Sequence, residues 1–148
     1  MASAVRLRPF EHRDLGQVYN LACKALNETY SITVFTDLYA YWPGGLIVLE
    51  EGGDIIGFVF GIMVSRAEAR ILMLAVEPPH RMRGLGSLLY RSFERECANK
   101  GIRTVGLEVR VSNLPAIRFY QKLGFQITGR IDSYYTNGED AYRMQTFF

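Results

Sequence analysis

Cysteine and lysine are scarce in this chain, long apolar runs are missing, and each shortage removes a class of function. The two cysteines, Cys23 and Cys97, fall in segments with helical periodicity and show no metal-ligand spacing. They read as core thiols, so neither a disulfide framework nor a zinc site is expected. Lysine is displaced by arginine, which supplies 14 of the 17 cations. With 15 acidic residues scattered along the sequence, the formal net charge is only +2. That is no polybasic footprint, and nucleic acid is not an expected partner. Arginine's planar fork suits phosphate and carboxylate, however, so a local anion site stays open. No apolar run approaches the ~18 residues of a membrane span. The start, Met-Ala-Ser-Ala-Val-Arg, lacks the apolar core of a signal peptide. A cytosolic protein without membrane partners is expected.

No repeat or linker-like stretch interrupts the sequence. With 148 residues, 49% hydrophobic and 22% charged, it is expected to fold as one domain over residues 1–148. Val5 to Arg8 reads as a first strand, and Asp14 as the cap of a helical pattern through Leu15, Val18, Leu21, Ala22 and Ala25. The aromatic-rich stretch from Tyr30 to Trp42 reads as a short helix ended by Pro43-Gly44-Gly45. Leu46–Glu50 and Ile55–Met63 are β-branched runs joined by Glu51-Gly52-Gly53-Asp54, a hairpin. Ile71 to Val76 is apolar at every position, as for a central strand covered on both faces. The periodic helix starting at Leu85 ends at Gly101. Thr104 to Val109 is the next strand, Pro115 to Leu123 a helix closed by Gly124, and two strands follow around Asn137-Gly138 as a hairpin turn. The sum is a mixed α/β domain around one sheet.

The loop before the long helix is electrostatically odd. A helix N-terminus carries partial positive charge, yet this one is preceded by Arg81 and Arg83 where an acid would stabilise it. Gly84 and Gly86 let backbone N–H groups approach an anion closely. A phosphate-bearing ligand reconciles the two. A nucleotide-triphosphate loop does not fit, since G-x-x-x-x-G-K-[ST] is absent, and Leu89 occupies the third glycine position of a dinucleotide fingerprint. A plain Gly-rich turn with two solvated arginines is the alternative that this loop alone leaves open.

Two segments together resemble the GNAT superfamily of acetyltransferases. Arg81-Met82-Arg83-Gly84-Leu85-Gly86 follows the superfamily's R/Q-x-x-G-x-G/A loop. Leu107-Glu108-Val109-Arg110-Val111-Ser112-Asn113, continuing to Tyr120 and Leu123-Gly124-Phe125, is similar to its second strand-loop-helix signature. The likeness spans essentially the whole chain. It is strongest to the RimI-type and NatA-type N-terminal acetyltransferases, through Leu26-Asn27-Glu28-Thr29-Tyr30 and Tyr134 to Tyr142, and an archaeal member of that branch would fit.

The resemblance implies a mostly antiparallel twisted sheet, splayed between two central strands, with helices on both faces. It implies acetyl-CoA as co-substrate, no metal, and transfer of the acetyl group to the α-amine of protein N-termini. Nascent chains or ribosomal proteins would be the substrates, with an auxiliary subunit as a further partner. Leu74, Ala75 and Val76 would offer backbone groups to the pantetheine arm. Arg81, Met82, Arg83, Gly84, Leu85, Gly86 and Ser87 would hold the pyrophosphate, and Asn113 would add a hydrogen bond to the cofactor besides its own role as a helix cap. Tyr120 would protonate the leaving thiolate. Glu108, or Glu28 from the NatA-like loop, would be the general base; Arg70 stands where relatives carry His or Tyr and cannot take that role. Tyr30, Tyr134 and Tyr135, with Glu28, would flank the peptide. Two other readings remain: an acetyltransferase for small-molecule amines or lysine side chains, which would not need the Tyr134-Tyr135 segment, and a non-catalytic CoA-binding subunit.

Overall fold

The β-branched and aromatic runs become seven strands of one sheet in the computed structural model, which describes residues 4–25, 30–81 and 83–148. The strands are β1 (Val5–Pro9), β2 (Leu46–Glu51), β3 (Asp54–Met63), β4 (Glu68–Val76), β5 (Thr104–Arg110), β6 (Gln126–Ile131) and β7 (Ala141–Phe147). Their order across the sheet is β1-β2-β3-β4-β5-β7-β6. Neighbours are antiparallel except β4 and β5, which run parallel. The helices among the described residues are α1 (Leu15–Ala25), α2 (Ile32–Tyr41), α3 (Leu85–Asn99) and α4 (Leu114–Lys122). None of them is long and apolar enough to cross a membrane.

The sheet buries both faces, as the resemblance implied. On one side Val18, Leu21 and Ala22 of α1 and Phe35 and Leu38 of α2 pack on Val48, Phe58 and Phe60. On the other, Leu89, Phe93 and Cys97 of α3 and Ile117 of α4 pack on Leu49, Val59 and Leu107. Each helix thus spends its apolar stripe on the sheet, which is the arrangement that the 3.6-residue spacing dictates. The turn between β2 and β3 places Gly52 and Gly53 at φ 61° and 87°, the left-handed region that a two-residue hairpin requires.

Two local expectations are corrected. Asp14 does not cap α1 forward; it lies at the end of a 3-10 turn, His12–Asp14, and is buried. Its carboxylate accepts the Glu11 N–H at 2.8 Å and both Arg8 terminal nitrogens at 2.8 Å. Burial alone would raise its pKa, but the bonds from Arg8 and Glu11 outweigh that and hold it below the usual carboxylate range. Arg8 also reaches Glu50 at 2.5 Å, so one guanidinium joins β1, β2 and the start of α1. The second correction concerns Asn137-Gly138, which is no two-residue hairpin. It sits in a longer connection between β6 and β7, where the Gly138 N–H donates to the Tyr135 carbonyl at 2.9 Å and the Tyr135 N–H to the Glu139 carbonyl at 3.1 Å.

Glycine is required at position 61, where a Cβ would fall inside van der Waals contact of the Phe93 ring. Gly61→Ala is expected to overpack the β3–α3 interface by about 1–3 kcal/mol. The midpoint of thermal unfolding should fall by roughly 3–10 °C; an unchanged midpoint would show that Phe93 and the Arg70 carbonyl, 2.8 Å from that Cβ, both give way.

Candidate active site

The sheet opens where β4 and β5 meet. Their pairing consists of Glu68 with Thr104, Ala69 with Val105 and Arg70 with Gly106, and then stops, although β4 runs on to Val76 and β5 to Arg110. Just past this point the β3–β4 register slips, from Gly61 opposite Ile71 to Phe60 opposite Met73. Leu72 is the extra residue of that bulge, and the side chains of β4 change faces across it. Ala69 and Ile71 belong to the α3 side, Met73 and Ala75 to the α1–α2 side. The expectation that Ile71–Val76 is covered on both faces is therefore corrected: Leu72 is 42% exposed, and Leu74 and Val76 are half-buried along the opening.

The backbone follows the same alternation. The Glu77 N–H donates to the Ile56 carbonyl at 2.7 Å, so Ala75 and Met73, two and four residues back, also direct their polar groups to β3. Leu74 and Val76 then turn theirs into the opening, and the Val76 carbonyl accepts from Arg81 Nε at 3.0 Å. Of the three backbone positions expected to serve a ligand, two face the gap, and Ala75 is committed to the sheet.

A groove of about 590 Å³ runs from this edge to the N-terminus of α3, between Leu74, Val76, Arg81, Gly84, Leu85, Gly86 and Ser87 on one wall and Ala116, Phe119, Tyr120 and Lys122 of α4 on the other. The two glycines do different jobs there. Gly84 precedes the helix at φ 74° and offers no side-chain cap, so among the described residues the first N–H groups of α3 have no partner. Gly86 allows the two helices to approach, since a Cβ would lie 3.0 Å from Phe119 Cζ. The first turn of α3 holds no acid. Free N–H groups, Arg81 and Lys122 give this end of the groove positive potential beside an apolar wall. Arg83, expected in that site, is turned the other way, to Glu51 at 3.0 Å, and does not line the groove. Met82 lies outside the described residues.

An inner pocket of about 250 Å³ continues the groove, sharing Leu74, Ala116 and Tyr120 with it. Glu108 lines it, with its side chain 8% exposed. It is held on an interior strand by its cross-strand neighbour Arg143, whose Nη2 donates to Oε1 at 3.0 Å, and by Arg70 Nε at 3.6 Å. Tyr120 stands at the junction, its ring 5.0 Å from that of Phe119 and 5.3 Å from that of Phe125. Among the described residues its hydroxyl has no hydrogen-bond partner, and burial raises its pKa. Asn113 caps α4 by accepting the Ala116 N–H at 3.3 Å and also lines the pocket.

The aromatic residues divide. Tyr30 and Tyr135 line the inner pocket, while Tyr134 packs edge-on against Tyr135 at 5.0 Å and lies outside it. The Tyr135 hydroxyl is pushed up to about 12, chiefly by burial, and Arg110 lies 4.0 Å over its ring. Arg110 in turn reaches Glu139 at 3.2 Å, which ties the β6–β7 connection to β5. Glu28 lies outside the described residues. Sequence reasoning passed over Arg110, Phe119 and Lys122. The last two share one face of α4 at i and i+3.

Comparison with known proteins agrees with this geometry. Residues 15–125 match the acetyltransferase (GNAT) family. The N-alpha-acetyltransferase of Sulfurisphaera tokodaii is 30% identical over 151 residues, covering 94% of this chain and 90% of that protein. The crystal structure of Ard1 from Thermoplasma volcanium superposes with a TM-score of 0.94 at 39% identity, covering 97% of each chain. Naa50 from Arabidopsis thaliana, in complex with the bisubstrate analogue CoA-Ac-MVNAL, superposes with a TM-score of 0.87 at 27% identity, covering 97% of this chain and 99% of that one. An open β4–β5 edge, a groove running from it to the N-terminus of α3 and a match over most of the chain lead to one conclusion: this protein belongs to the GNAT family of acetyltransferases.

Proposed function

We propose that this protein transfers the acetyl group of acetyl-CoA to the α-amine of protein N-termini. The observation that carries the reading is the continuity of the outer groove with the inner pocket at Tyr120 and the open edge of β4. The outer end suits a pyrophosphate: Arg81, Lys122 and the first N–H groups of α3 supply positive potential. Leu74 and Val76 offer backbone groups to the amides of an extended arm, as an added strand would. The thioester then falls between Tyr120 and Glu108, with Tyr30 and Tyr135 beside the incoming peptide. Nascent chains and ribosomal proteins in the cytosol are the substrates this reading assigns, with an auxiliary subunit as a further partner.

The chemistry asks little of the protein beyond placement. The amine nitrogen bonds to the thioester carbon, the carbon–sulfur bond breaks, the amine gives up one proton to Glu108, and the thiolate, held by the Tyr120 hydroxyl, takes one from solvent. Glu108 is the carboxylate of the inner pocket and takes the amine proton; Arg143 and Arg70 both bind its Oε1, which fixes its orientation. Tyr120 is poised to hydrogen-bond the departing sulfur. Because burial raises its pKa, the hydroxyl holds its proton throughout the working range and acts chiefly as a donor. Neither cysteine lies at the groove, and direct attack needs no acyl-enzyme.

Mass spectrometry of a peptide with a free N-terminus and an internal lysine, incubated with acetyl-CoA, should show one acetyl group, on the α-amine. The same peptide blocked at its N-terminus should remain unmodified. Equal modification of the blocked peptide would assign the site to side-chain amines.

In steady-state kinetics, Glu108→Gln should lower turnover by ~10²- to 10⁴-fold, with acetyl-CoA binding near wild type. Glu28→Gln is the comparison, and a larger loss there would move the base to Glu28. Tyr120→Phe should cost roughly 10- to 100-fold, as for loss of one donor to a charged acceptor. That factor should stay constant from about pH 6 to about pH 9, because the raised pKa keeps the hydroxyl protonated across the range. A factor that shrinks as pH rises would mean that Tyr120 ionises in this window.

A further inference from the structure

The segment between β4 and α3 has to aim the first N–H groups of the helix at the groove, yet among the described residues little packs against Gly84 at its end. A Cβ built on Gly84 would meet nothing within 4 Å. The hydrogen bonds within the loop are short-range, His80 N–H to the Glu77 carbonyl at 2.9 Å and Arg81 N–H to the Pro78 carbonyl at 3.2 Å. Its beginning is tied to β3 by the Glu77 N–H and to β4 by Arg81 Nε on the Val76 carbonyl. Neither bond restrains the end, where Arg83 and Gly84 join the helix.

That end is held by a side chain. Arg83 Nη2 donates to Glu51 Oε2 at 3.0 Å, and its Nη1 lies 2.9 Å from His80 Nδ1. His80 Nδ1 is in turn 3.6 Å from Glu51 Oε1. Glu51 closes β2, directly before the Gly52-Gly53 turn, so the bracket rests on a paired strand of the sheet. Its side chain is 18% exposed, and the Arg83 bond holds its carboxyl below the usual range. Arg81 lines the groove and Arg83 does not.

We infer that Glu51 is a positioning residue for the anion site: through Arg83, and with His80 between them, it fixes the end of the loop so that the N–H groups of α3 converge on the pyrophosphate. Arg83 then acts by holding Glu51, not by touching the ligand. This role rests on the acetyl-CoA reading above and deepens it. The alternative, in which Arg83 swings to the phosphate, makes Glu51 a competitor for the same guanidinium. The two accounts give opposite signs when Glu51 loses its charge.

Calorimetric titration of acetyl-CoA into wild type, Glu51→Gln, Arg83→Gln and the double variant separates them. Each single substitution should weaken binding roughly 3- to 10-fold, and the double should be no weaker than either single, because both break one bracket. The Michaelis constant for acetyl-CoA should rise with them while turnover at saturation and the unfolding midpoint of the free protein barely move. A general structural defect would not leave those two in place. Unchanged or tighter binding by Glu51→Gln, or losses that multiply in the double variant, overturns the positioning role alone. Failure of the wild-type chain to bind acetyl-CoA overturns the acetyl-CoA reading, and this role with it.

Discussion

Backbone that no neighbouring strand pairs, along the far half of β4, is the constraint around which the site is organised. A strand inside a sheet normally spends its N–H and C=O groups on both neighbours, and groups left over beside apolar walls are costly. Here the parallel partner β5 leaves after Arg70, so Leu74 and Val76 face an opening with their polar groups directed into it. The bulge at Leu72 completes the arrangement by turning Leu74 and Val76 toward the α3 side, where α4 supplies the facing wall. An extended ligand with its own amides satisfies this edge in the way an added strand does. The N-terminus of α3 and the pocket that holds Glu108 and Tyr120 are the two ends of that one line.

Charge is managed by pairing rather than by excess. Glu108 sits between Arg143 and Arg70, Glu139 between Arg110 and Ser112, and Glu51 between Arg83 and His80. Each carboxylate joins segments distant in sequence: β5 to β7, β5 to the β6–β7 connection, and the β2–β3 hairpin to the loop before α3. Such brackets contribute little to global stability when exposed, but they restrict where loops can go. Around a groove whose work is placement, restricting loops is the larger effect.

Most elements were legible because their patterns have one solution. The stripe from Leu85 to Cys97 can only bury itself as a helix, and Gly52-Gly53 between β-branched runs can only be a hairpin. The departures share a cause: each depends on a partner outside the segment whose pattern was read. Ile71–Val76 is uniformly apolar, so nothing local reveals that Leu72 is a bulge. Arg83 reads as part of the anion loop, and nothing local shows that Glu51, 32 residues earlier, accepts from it. Asp14 reads as a forward cap until Arg8 claims its carboxylate. Gly84 and Gly86 were both assigned to close approach of an anion, whereas the second is needed by Phe119. The membership of the family was legible because it rests on two contiguous motifs.

The open edge of β4 can be tested residue by residue by amide hydrogen exchange followed by NMR. In the free protein the N–H groups of Leu74 and Val76 should exchange quickly and those of Met73 and Ala75 slowly, since only the latter pair with β3. Saturation with acetyl-CoA should protect Leu74 and Val76 and leave Met73 and Ala75 as they were. Protection of Leu74 and Val76 without acetyl-CoA, or rapid exchange in its presence, would contradict the account.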